Sequence, residues 1–127
     1  MEAIAFNVPG NRFTTLPNYK VVRISDKKVS EISDVEVARR VIQGEKELFE
    51  ILLRRYNQLL YRVIRGYLSD EKEVEDIMQD TYLHAYEKLQ QFRGDASFST
   101  WLIRIGINEA LGRIRKLKKQ PVLKLAE

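Results

Sequence analysis

A chain of 127 residues, 44% of them hydrophobic and none of them cysteine, can bury one ordinary core and excludes disulfides, thiolate metal sites and a cysteine nucleophile. A net charge of +4 points toward a polyanionic partner. No apolar run approaches the roughly 18 residues of a membrane span, and the first residues lack the basic-then-apolar pattern of a secretion signal.

Residues 1–32 differ in character from the rest, with Pro9, Gly10 and Pro17 among several Asn and Thr. Lys20 to Ile24 (KVVRI) has the composition of a short strand, but a lone strand is unstable without a partner. A flexible or loosely docked N-terminal extension is expected over 1–32, with a regulatory or docking arm as the alternative. A helical domain is expected over 33–120, and the start of a linker or tail over 121–127.

Ser33 or Asp34 can cap a first helix, because a short side-chain oxygen accepts from the free N–H groups of the first turn. That helix runs to about Gln43, with Val37, Ala38, Val41 and Ile42 as its apolar side, and Gly44 stops it. A second helix is predicted from Glu45 to Leu68. Its Leu48, Phe49, Leu52, Leu53, Tyr56, Leu59, Leu60, Val63, Ile64, Tyr67 and Leu68 fall on one broad stripe. Ser69 is the expected cap of a third helix, whose first turn holds Asp70, Glu71 and Glu73 where the helix dipole favours acids. It should end near Arg93 and Gly94. Ser97 or Ser99 caps a fourth helix to about Lys119, and Pro121 cannot continue it. The fold class is therefore all-α, a compact bundle of about four helices with an irregular N-terminal extension.

Charge is divided unevenly along the chain. From Asp70 to Phe92 there are seven acids against Lys72 and Lys88, and from Trp101 to Lys119 six Arg and Lys against Glu109. On the third helix Glu73, Asp76, Asp80, His84 and Glu87 form one polar row off the apolar stripe. A metal site there is disfavoured, because one exposed helix offers no facing ligand and His84 is the only histidine. The row is either a solvated face or, with Gln79 and Leu83 beside it, a protein-docking patch. The loop Arg93-Gly94-Asp95-Ala96-Ser97 reads on its own as an ordinary turn. On the fourth helix Arg104, Asn108, Gly112, Arg115 and Lys119 form a polar strip between two apolar ones. Its Arg and Lys suit phosphate, and its Asn can read a base edge. A solvated basic helix end explains Lys116, Lys118 and Lys119, but not Arg104 and Asn108, which lie far from that end. Trp101 reads as core before stacking platform. No nucleophile–base pair is in evidence, so no enzyme and no cofactor is expected.

The ordered set of motifs resembles the second conserved region of bacterial sigma factors of the extracytoplasmic-function (ECF) type, within the sigma-70 family. Leu48-Phe49 with Tyr56 is similar to the start of that domain. Asp76-Ile77-Met78-Gln79-Asp80-Thr81-Tyr82-Leu83 is similar to its D-x-x-Q-[DE]-x-[FY]-L core. Phe92-Arg93-Gly94 with Phe98-Ser99-Thr100-Trp101-Leu102, then Asn108 and the basic run Arg113 to Lys119, resemble its later segments. The likeness spans about residues 34–119.

The resemblance implies a cytoplasmic bacterial transcription-initiation factor. Its partners would be core RNA polymerase, through the clamp helices of the largest subunit, and the non-template strand of the promoter −10 element. It implies Asp76, Gln79, Asp80 and Leu83 as polymerase-binding residues. It implies Arg93, Gly94, Asp95, Ala96, Ser97, Trp101, Arg104, Asn108, Arg113, Arg115, Lys116 and Lys119 as DNA-binding ones. An anti-sigma factor and a separate −35-binding domain or subunit are further implied partners. Gly106-Ile107 stands where Ala-Arg is usual, and Gly112 where Asp is usual. The family's second domain is not found in this sequence, as expected of an excised fragment or of a partner made separately. The competing reading is a sigma-like helical adaptor that binds only protein, and a small helical hydrolase is disfavoured for want of paired catalytic groups.

Overall fold

The computed structural model describes residues 31–119, in which four α-helices pack into a bundle and no strand occurs. They are α1 (Asp34–Ile42), α2 (Phe49–Arg65), α3 (Glu71–Glu87) and α4 (Phe98–Lys118), with 3₁₀ turns at Lys46–Leu48 and Leu89–Gln91. The expected strand at 20–24, the body of the N-terminal extension, the stop at Pro121 and the tail lie outside the described residues.

Helix α1 begins where Ser33 Oγ accepts from the Glu36 N–H at 3.1 Å. It ends at a turn that needs Gly44, whose φ of +122° strains any side chain. Arg40 closes that turn with two 2.9 Å hydrogen bonds to Glu45. The long helix expected from Glu45 is divided. Neither Glu45 nor Leu48 makes a side-chain cap, so the chain enters through the 3₁₀ turn, which buries Leu48 just before Phe49 opens α2 as a buried residue. At its other end α2 stops at Arg65 rather than Leu68, as Tyr67 and Leu68 both bond back to the Ile64 carbonyl.

The cap of α3 is Asp70, not Ser69. Asp70 Oδ1 accepts from Lys72 N–H at 2.9 Å and Glu73 N–H at 3.4 Å, while Ser69 gives its carbonyl to Arg65 at 2.8 Å. Helix α3 also ends earlier than Arg93. The 3₁₀ turn after Glu87 drops Leu89 into the core and leaves Phe92 extended. Ser97 caps α4, accepting from Thr100 N–H at 3.2 Å.

Phe49, Leu52, Leu60, Ile64, Val74, Ile77, Met78, Tyr82, Phe98 and Leu102 are fully buried between the helices. Ile42, Leu59 and Tyr67, expected inside from their spacing, are exposed, because they sit at the margin of a broad stripe that the bundle covers only at its centre. Gly106 sets how closely α4 lies on α2. A Cβ there would fall 2.7 Å from Leu60 Cδ1, so its bare backbone admits the Leu60 side chain. Phe92, Phe98 and Trp101 form an aromatic cluster with centroids 5.4 to 5.6 Å apart, which anchors the loop before α4. Helix α1 is fastened to α2 by Asp34, which pairs with Arg55 at 2.6 Å and accepts from the Tyr56 hydroxyl. Burial and then that bond push the Tyr56 phenol up to about 12.

Candidate protein and nucleic-acid interfaces

The acidic row of α3 does not stand alone. Its residues fall at steps of three and four, and so do Glu109 and Arg113 on the facing helix. The two sets meet along the α3–α4 seam. Arg113 Nη1 donates to Glu73 Oε1 and lies 3.9 Å from Asp76, while Nη2 lies 3.5 Å from Asp80. His84 Nδ1 is 2.6 Å from Glu109 Oε2. Burial raises the Asp80 carboxyl above its ordinary value, and the Glu109 charge adds to this. Arg113 and then His84 oppose the rise. Gln79 and Leu83 are half-buried beside this row. Among the described residues no group of three His, Cys, Asp or Glu could hold a metal ion.

The loop after the 3₁₀ turn is held by its ends. Gly94 has φ +83°, a left-handed conformation, and lies over Val35 at the start of α1. Arg93, Gly94 and Asp95 are exposed and Ala96 is partly covered. Ser97 is engaged as the cap of α4, and its hydroxyl also donates to Thr100 Oγ1 at 2.9 Å. Trp101 is half-buried against Phe92 and Phe98.

The outward strip of α4 is different. Arg104, Asn108, Arg115 and Lys119 are exposed along one side. The side chains of Arg104, Arg115, Lys116 and Lys119 form no ion pair among the described residues. A polar cleft of about 190 Å³ joins this strip to the acidic row, lined by Asp80, Asn108, Glu109, Gly112, Arg113 and Lys116. Arg113 alone among the twelve residues expected at DNA is turned toward α3 and carries an ion pair there. Residue types along one helix could not reveal this. The complementary spacing of Glu109 and Arg113 opposite the α3 acids is the signal that could have.

Among the described residues no helix is long and apolar enough to cross a membrane. Residues 52–120 match the Sigma-70 region 2 family. Over 93 residues the chain is 32% identical to the RNA polymerase sigma-H factor of Pseudomonas aeruginosa, covering 73% of this chain and 48% of that protein. Over 91 residues it is 31% identical to the ECF RNA polymerase sigma-E factor of Haemophilus influenzae, covering 72% and 48%. The chain thus spans about half the length of the curated relatives it matches. It also superposes on an NMR structure of an engineered region 2 of sigmaE in complex with GTAAAA. There the TM-score is 0.66 and the identity 26%, over 77% of this chain and 98% of that one.

Proposed function

Because the chain belongs to the sigma-70 region 2 family, with its likeness to ECF-type members, we propose that it directs transcription initiation by binding core RNA polymerase and the promoter −10 element. The observation that carries this reading is the exposed strip of Arg104, Asn108, Arg115 and Lys119, whose charged members form no ion pair among the described residues, on a fold like that of a domain in complex with GTAAAA. Polymerase docks on α3 through Asp76, Gln79, Asp80 and Leu83, against basic side chains of the clamp helices of its largest subunit. The loop from Arg93 to Ser97 receives an unstacked base of the non-template strand. The strip on α4 tracks the phosphates, and Asn108 meets a base edge.

Unstacking a base costs a few kcal/mol, offset by stacking and pocket contacts of about 1–3 kcal/mol per base. Binding energy and positioning thus do the work, with no chemical step. The factor acts in the bacterial cytoplasm, where polymerase and promoter are found. A −35-binding domain or subunit completes promoter recognition, and an anti-sigma factor controls access.

Pull-down with polymerase core tests the docking surface. Asp80→Arg should abolish capture while leaving the helical circular dichroism intact, and undiminished capture would remove α3 from the reading. Anisotropy with a single-stranded −10 oligonucleotide tests the other surface. Binding should weaken with salt, and Arg115→Ala should lower the slope by about 0.7, the loss of one phosphate contact on a single strand. Salt-insensitive binding contradicts the DNA assignment. Run-off transcription with core separates an initiation factor from a protein-only adaptor, which would give no specific transcript.

A further inference from the structure

Arg113 lies where the two proposed surfaces meet. It belongs to the helix read as DNA-facing, yet its side chain is three-quarters buried beside Glu73, Asp76 and Asp80, the last two of which are read as polymerase-facing. Among the described residues only Glu73 accepts a hydrogen bond from it. Asp76 and Asp80, at 3.9 and 3.5 Å, are within ion-pair range but lack hydrogen bonds to it. Those two side chains remain 48% and 47% exposed, so a basic surface can reach them from solvent and must share them with Arg113.

Beside Arg113 on the helix stands Gly112, which presents no side chain. Apart from its chain neighbours and the helix's own backbone, the nearest atom to an ideal Cβ there is Arg115 Nη2, 3.9 Å away. The ground between Arg113 and the outward strip is thus open, and the cleft that contains Asp80 and Asn108 runs across it. A guanidinium on its long stem suits carboxylate and phosphate alike.

We propose that Arg113 is an internal counter-ion coupling the two surfaces. In the free domain Glu73, Asp76 and Asp80 hold it. When a basic protein surface takes those acids, Arg113 turns across Gly112 and contacts a phosphate beside Asn108. Docking and DNA binding then reinforce one another, and by linkage the effect is reciprocal. This coupling rests on the two-surface reading above and assigns Arg113 to both surfaces in turn.

The test uses the full chain and a fluorescein-labelled GTAAAA strand, with anisotropy measured over a range of salt. Glu73→Gln with Asp80→Asn neutralises two of the acids and imitates their capture. The pair is made with Arg113 present and in an Arg113→Ala background, completing a cycle. With Arg113 present, binding should tighten several-fold and the salt slope steepen by about 0.7, one further phosphate contact. With Arg113→Ala, only the small gain from two lost negative charges should remain, and the slope should not change. Arg113→Gln keeps the stem that packs in the seam and replaces the alanine variant if that one unfolds. Equal gains in both backgrounds would overturn the coupling, since net charge alone would then account for them. No gain in either background overturns it as well. Failure of the unsubstituted chain to bind the strand at any salt would overturn the DNA reading itself, and the coupling with it.

Discussion

On α4, Glu109 and Arg113 meet α3 and are engaged by it, whereas Arg104, Arg115 and Lys119, on the outward side of the same helix, form no ion pair among the described residues. Both rows carry charge at helical spacing, and a sequence pattern treats them alike. What separates them is the facing surface. One row meets acids at ion-pair distance across a seam, and the other meets solvent. A cation already balanced by carboxylates contributes to the fold, and one left unbalanced remains available to an anion from outside. Residue type therefore identifies candidates for phosphate binding, and the partner already present decides among them.

The sharpest way to break the contrast is to unseat α4. Leu60 is fully buried and enters the space left by Gly106, so Leu60→Ala opens a cavity at the α2–α4 contact. A loss of about 2–5 kcal/mol is expected in urea unfolding. DNA binding and seam pairing should then fail together as the helix loses its register. A loss confined to one row would show that the rows are held independently.

A smaller effect separates the rows directly. Arg113→Ala leaves Glu73, Asp76 and Asp80 facing one another without a cation and should cost about 1–2 kcal/mol, reduced by partial exposure. Arg104→Ala removes an exposed side chain and should stay within about 0.5 kcal/mol. For a single strand the order reverses. Arg104→Ala should weaken binding and lower the salt slope by about 0.7, while Arg113→Ala should leave the free chain nearly unchanged. Equal stability losses from both variants would abolish the distinction.

Much of this architecture was legible in the residues. Ser33 and Ser97 cap, each one of the two residues the pattern allowed (Ser33 or Asp34, Ser97 or Ser99), and the stripe through Leu52, Leu60 and Ile64 is the core. The misreadings have local causes. Ser69 and Asp70 are adjacent and both suit a cap, and the backbone assigned Asp70 because Arg65 holds the Ser69 carbonyl. The break at Lys46–Leu48 leaves no mark in apolar spacing, since the 3₁₀ turn still buries Leu48. Leu59 and Tyr67 lie on the apolar stripe yet remain exposed, because a stripe shows direction but not how wide the covering helices are. The direction of Arg113 could not be found on α4 alone, as it depends on which α3 residues face it.

The smallest expected effect concerns Asp80, which belongs to the seam and to the proposed docking surface alike. Its carboxyl is raised chiefly by burial and then by Glu109, so the structure disfavours its charged form despite Arg113 nearby. The sign follows from linkage. A raised acid favours folding most while it is protonated, below its unfolded value, and that contribution is lost as pH climbs through the folded value. Asp80→Asn removes the penalty. At neutral pH the variant should therefore be slightly more stable than the parent, by a few tenths of a kcal/mol at this half-exposed position. Near pH 3 the two should converge. Comparing variant with parent by urea unfolding at both values cancels the other carboxylates, including Glu36 and Glu45, whose lowered values act in the opposite direction. The same substitution should weaken capture by polymerase core. A variant both more stable and less competent would mark Asp80 as an acid kept for its partner at a cost to the fold. A less stable variant at neutral pH, or a difference that does not vary with pH, would place Asp80 with the structural half of the seam instead.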